Sequence, residues 1–93
     1  MRMLSEKRSR ILGLAEQYRA DNVRVFGSVA RGDHTESSDV DFLIKPRSDC
    51  SLFDLGGLLE ELQDLLGCKV DLVPEDGLKP QLRERVLKEA VPL

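Results

Sequence analysis

VRVFGSVARGDHTESSDVDFLIK, residues 23 to 45, reads as a strand, a Gly-Ser turn opening a short helix, a polar loop and a second strand carrying two aspartates. Val23, Val25 and Phe26 form a β-branched and aromatic run that stops at Gly27, the residue type that tolerates both a sharp turn and a close approach to the backbone. Ser28 is placed to cap Val29-Ala30-Arg31, leaving N–H groups and a hydroxyl where an anion such as phosphate is favoured. In the second strand, Val40 to Lys45, side chains alternate, so Asp39 and Asp41 share one face with Cα atoms about 6.6 Å apart while Val40 and Phe42 point into a core. Two carboxylates side by side repel unless a cation sits between them or one is protonated. Hard oxygen ligands suit magnesium, which takes one or two carboxylates and completes its shell with water and substrate phosphates. A phosphate cradle one strand from such a pair is the outline of a nucleotide site.

The remaining segments supply a frame for it. Residues 3 to 20 predict a first helix, with Leu4, Ile11, Leu14, Ala15 and Tyr18 at helical spacing and Asp21-Asn22 breaking it. Pro46 ends the second strand. Ser51 and Asp54 form a capping pair ahead of a leucine stripe, Leu55, Leu58, Leu59, Leu62, Leu65 and Leu66, that stops before Gly67. Gly56 and Gly57 each cost about 1 kcal/mol against alanine in a helix interior, so they mark a late start or allow close packing. Cys68 to Val73 is a third strand, in which Asp71 is a charge that a buried sheet tolerates only with a cation or a basic partner. Pro80 opens a last helix to about Ala90, with Leu82, Val86 and Ala90 on one face, Arg83, Glu84, Arg85, Lys88 and Glu89 on the others, and Pro92 closing it. Leu87 and Leu93 are left over as contact surface. The expected fold is therefore a small α/β (α+β) domain: helix, strand, short helix, strand, helix, strand, helix, with a mixed sheet of about three strands and four helices.

With 93 residues the chain has room for one core and one domain, residues 1–93, and buries roughly 60 to 65% of its unfolded surface. No apolar run approaches the length needed to span a bilayer, and the N-terminus lacks a signal-peptide core, so a cytoplasmic location is expected. Fourteen basic against seventeen acidic residues give a net charge of -3, which argues against direct, counterion-driven nucleic-acid binding. Cys50 and Cys68 show neither a disulfide framework nor metal-ligand spacing. A calcium loop starting at Asp33 fails, because Ser38 and Ile44 stand where glycine and a bidentate glutamate are required. His34 and Glu36 read as solvated loop residues, and Arg31 as the member of an ion pair more than as a phosphate ligand.

Gly27-Ser28, ten residues, then Asp39-Val40-Asp41 resembles the signature of the polymerase-β-type nucleotidyltransferase superfamily. The longer string GSVARGDHTESSDVDFLI is similar to the minimal nucleotidyltransferases, short antitoxin-like proteins paired with HEPN-domain ribonucleases. Phe42 stands where that family more often has leucine. The resemblance implies a polymerase-β-like domain with Asp39, Asp41 and Asp71 as the metal-binding and catalytic triad holding two magnesium ions. It implies Gly27 and Ser28 on the β- and γ-phosphates of ATP, and Asp71 as the base that takes the acceptor hydroxyl's proton. It further implies transfer of AMP to a tyrosine of a HEPN-type toxin, which this chain would neutralise as antitoxin. The alternative is a non-catalytic antitoxin that acts by complex formation. Transfer to a small molecule such as an aminoglycoside needs an acceptor-binding domain for which the chain has no room.

Overall fold

A computed structural model of the chain describes every residue except Met1, His34, Glu36, Ser37 and Ser38. The readings of His34, Glu36 and the Ser37-Ser38 approach to the second strand thus lie outside the described residues. The element order is α1 (Arg2–Glu6), α2 (Arg8–Gln17), β1 (Ala20–Phe26), α3 (Gly27–Arg31), β2 (Val40–Pro46), α4 (Leu52–Leu66), β3 (Val70–Pro74), a 3-10 turn (Glu75–Gly77), α5 (Pro80–Glu89) and β4 (Val91–Pro92). The sheet order is β3-β2-β1-β4, with β2 parallel to β3 and β1 antiparallel to both β2 and β4. The expected mixed α/β architecture holds, with two additions besides the short 3-10 turn. The first helix is two, interrupted at Lys7, whose ammonium donates to the Leu65 carbonyl at 2.6 Å. The tail that proline was expected to close is a fourth strand, and just beyond it Leu93 N–H also donates to the Val23 carbonyl at 3.1 Å.

The apolar periodicities read from the sequence become the core. Ile11 and Ala15 of α2, Leu58, Leu62 and Leu66 of α4, and Val40, Phe42 and Ile44 of β2 are all buried in one cluster. Phe42 is fully buried, so its bulk is absorbed entirely on the core face. A set of seven fully buried large side chains, several worth about 1.5 to 3 kcal/mol each, accounts for the sheet being pinned where it is. Helix α4 begins with a complete capping box between Ser51 and Asp54 and ends at Gly67 in the left-handed conformation, as its sequence requires. Gly57 settles its own question: a Cβ there would sit 2.7 Å from Cε1 of Tyr18, whereas Gly56 faces open space. Close packing of Tyr18, at the end of α2, against α4 explains Gly57 and not Gly56.

Asp21-Asn22, expected to break the first helix, lies inside β1, which starts three residues earlier than predicted. Asn22 adopts a left-handed φ of 52° and the β1–β2 register shifts between Asp21 and Arg24, the signature of a bulge. The extra residue lets both Ala20 and Val23, three apart, point into the core, an arrangement strict alternation forbids. Beyond the bulge the register places Phe26 opposite Asp41, which fixes the start of α3 beside β2. One surface expectation changes and one exposed pair is new. Leu93 packs against the core, while Leu52 and Phe53 at the start of α4 are almost wholly exposed, at 86% and 92%. Helix α5 carries no buried residue, and Leu82 on its apolar face remains exposed.

Candidate active site

Parallel pairing of β2 and β3 sets Asp41 directly opposite Asp71. The two carboxyl groups are hydrogen-bonded to each other, and burial, that bond and the charges of Asp71, Asp39 and Glu89 push the Asp41 carboxyl up to about 6. Burial is the largest of these causes. Carboxylates facing one another repel when both are ionised, so Asp41 gives up its proton less readily than an ordinary carboxyl does. Asp39, one residue before β2 and two before Asp41, is partly exposed and lies 3.9 Å from the ammonium of Lys69. Lys69 is a residue the sequence offered no reason to single out.

Gly27 closes the site from the β1 side. Its φ is +74°, and a Cβ built there would lie 2.2 Å from Oδ2 of Asp41. No other residue type permits the α3 turn to approach this carboxylate. The expected cap differs in detail: α3 begins at Gly27 itself, Ser28 is its second residue, and no side chain caps its start. Ser28 is instead tied through its carbonyl, which accepts from Asp33 N–H at 3.1 Å, while Gly32 ends the helix at φ 81°.

The donors around Gly27 are engaged by a residue from the far end of the chain. Gly27 N–H donates to Oε2 of Glu89 at 2.9 Å, and Nη1 of Arg31 donates to Oε1 of the same carboxylate at 2.8 Å. Nε of Arg31 also donates to Asp33 at 3.2 Å. Arg31 is thus an ion-pair residue, as its sequence context suggested, but its main partner comes from α5. These contacts hold the Glu89 carboxyl below the usual carboxylate range, the Arg31 bond contributing most. Glu89 was legible only as one charge on a helix face, because nothing local links it to a glycine 62 residues away.

The structure thus brings Gly27, Asp41 and Asp71 together, sets Asp39 beside them toward Lys69, and places Ser28 one residue into α3. Among the described residues, no three acidic, His or Cys side chains are gathered tightly enough to hold a metal as they stand. The donor set still suits magnesium, which needs only one or two carboxylates when phosphates supply the rest, and a cation between the facing carboxyls of Asp41 and Asp71 would relieve their repulsion. No described helix is long and apolar enough to cross a membrane, and both cysteines are free.

Comparison with known proteins agrees with this geometry. The sequence model described as a nucleotidyltransferase domain matches residues 8–93. Protein adenylyltransferase MntA of Thermococcus cleftensis is 41% identical over 78 residues, covering 84% of this chain and 79% of that one. A Methanocaldococcus jannaschii protein provisionally assigned as a protein adenylyltransferase is 34% identical over 88 residues, covering 95% of each chain. A solved structure provisionally assigned as a minimal nucleotidyltransferase superposes with a TM-score of 0.90 at 47% identity, over 99% of this chain and 94% of that one. A toxin-antitoxin structure with AMP-PNP shares the fold, with a TM-score of 0.76 at 21% identity over 90% of this chain and 69% of that one. From the glycine turn against Asp41 through the extent of the matched sequence, the chain belongs to the nucleotidyltransferase domain family and is an enzyme of that class.

Proposed function

We propose that this nucleotidyltransferase is a magnesium-dependent protein adenylyltransferase that moves AMP from ATP to a tyrosine hydroxyl of a HEPN-type ribonuclease toxin, acting in the cytoplasm as its antitoxin. The observation that carries the reading is the Asp41–Asp71 register with Gly27 seated against Asp41. Asp39, Asp41 and Asp71 would hold magnesium, which when bound neutralises phosphate charge and lowers the pKa of the acceptor hydroxyl. Gly27 and Ser28 bind the β- and γ-phosphates and orient the triphosphate for in-line attack. The hydroxyl oxygen attacks the α-phosphorus, the bond to the bridging α-β oxygen breaks, and pyrophosphate leaves. Asp71 takes the hydroxyl proton.

A protein acceptor is supported by the adenylyltransferase names of the relatives. A toxin partner is supported by the toxin-antitoxin assembly that shares the fold. The test is intact-mass measurement of a HEPN-type partner encoded beside this gene after mixing with ATP and magnesium. An adenylate-sized increase with wild type and none with Asp39→Asn is expected. No increase, or an equal increase with the variant, removes the proposal.

A further inference from the structure

The Glu89 carboxylate lies over the phosphate cradle and uses its donors. One oxygen takes the Gly27 N–H and the other takes the Arg31 guanidinium, at 2.9 and 2.8 Å. This two-donor clasp of two oxygens is the recognition that a phosphate group also asks for, since carboxylate and phosphate accept the same charge-assisted hydrogen bonds. The clasp is built into the site: the same glycine stands against Asp41, and the Glu89 side chain is only 17% exposed. We infer that Glu89 is an internal competitor for the nucleotide's phosphates, and that α5 must withdraw this carboxylate before a triphosphate can take up Gly27 N–H and Arg31.

The inference rests on the nucleotidyltransferase reading for the position of the phosphates, and three features support it independently of catalysis. First, a triphosphate entering beside an undisplaced Glu89 meets a carboxylate and occupied donors, so displacement is required by charge and by hydrogen-bond count alike. Second, α5 contributes no buried residue, so moving it exposes little apolar surface, in contrast to α2 or α4. Third, Arg31 also donates to Asp33 at 3.2 Å, a contact that does not involve Glu89 and so would hold the guanidinium for an incoming anion once Glu89 withdraws. Glu89 does not complete a metal cluster, since no group of three such ligands is formed among the described residues. Its position suits a gate more than a ligand.

The test is binding of sodium triphosphate without metal or nucleoside, followed at the Gly27 amide by NMR, for wild type, Glu89→Gln and Glu89→Ala, with thermal melts to confirm folding. Both variants should bind triphosphate roughly three- to tenfold more tightly, with the Gly27 amide shifting in each. In wild type, the Glu89 side-chain carboxyl carbon should shift along with it, a reading that needs no variant to fold. Equal or weaker binding in the variants, or a Gly27 amide and Glu89 carboxyl left unmoved by triphosphate, overturns the inference. AMP transfer to a partner, measured separately, distinguishes the two levels. Transfer without tightening removes Glu89's role alone, and tightening without transfer removes the enzymatic reading alone.

Discussion

A Cβ on residue 27 would lie 2.2 Å from Oδ2 of Asp41, closer than side-chain atoms pack. The glycine also has a φ of +74°, so Gly27→Ala is opposed twice, by the clash and by the backbone. We predict a loss of at least 2 kcal/mol, on the order expected for overpacking plus left-handed strain. AMP transfer should fall at least about a hundredfold, as expected when phosphate positioning is lost. Chemical denaturation and a partner-labelling assay check the two effects. A variant as stable and active as wild type shows that the turn is not locked to Asp41.

Asp41 gives a pH signature. Its carboxyl titrates at about 6 in the fold against an ordinary 3.8, so the folded state binds the proton more tightly than the unfolded chain does. Stability from this group is present at pH below 4 and is lost as pH rises through 6. Because the residue is only partly buried, the effect is discounted to about 1 kcal/mol, roughly 5 °C in a domain of this size. With chelator present, Asp41→Asn should raise Tm above wild type at pH 8 and converge with it at pH 4. A difference that is flat across this range excludes a raised Asp41 carboxyl.

Magnesium should reverse that penalty. Adding it at pH 8 should raise the Tm of wild type, and the rise should shrink or vanish in Asp41→Asn and Asp71→Asn, which lack one carboxylate of the facing pair. Calorimetric melts with and without the ion decide it. Equal shifts in all three proteins place any metal elsewhere.

The double variant Asp39→Asn, Asp41→Asn separates chemistry from binding. Asp39 precedes β2, Asp41 lies in it only partly buried, and neither belongs to the apolar core, so the fold should persist. AMP transfer should drop below detection while partner association survives. Full neutralisation of the partner's ribonuclease by this variant establishes the non-catalytic mode of action.

Adjacent glycines in α4 should respond with opposite sign. Gly57→Ala drives a methyl into Tyr18 at 2.7 Å and should destabilise by about 1 to 3 kcal/mol. Gly56→Ala meets no atom within 4 Å and should stabilise by about 0.5 to 1 kcal/mol through helix propensity. Urea unfolding of the two variants tests the pair directly.

Much of the fold and the candidate site was legible from local pattern. The leucine stripe of α4, its Ser51-Asp54 box and the apolar face of β2 each carry a period or a cap that local physics dictates. The Gly27 turn and the aspartates of β2 and β3 were visible because their residue types are awkward anywhere else. What stayed hidden depends on distant partners. Asn22 reads as a breaker, yet in a bulge its left-handed φ is what keeps β1 going. Val91–Pro92 is too short for any alternation to register, and it becomes a strand only because β1 has an edge to pair with. Glu89 and Lys69 carry ordinary charges whose meaning lies in a glycine and an aspartate brought near by topology.

The two-residue β4 has a further consequence for how the chain avoids its own copies. It covers β1 along Arg24 and Val25, and Pro92, lacking an N–H, leaves the outer rim a poor template for another strand. The sheet margin beside the Gly27 turn is thus blunted against edge-to-edge association by its last few residues. Replacing Pro92 with a β-branched residue would put an unpaired N–H on that rim and make it a better template for another strand.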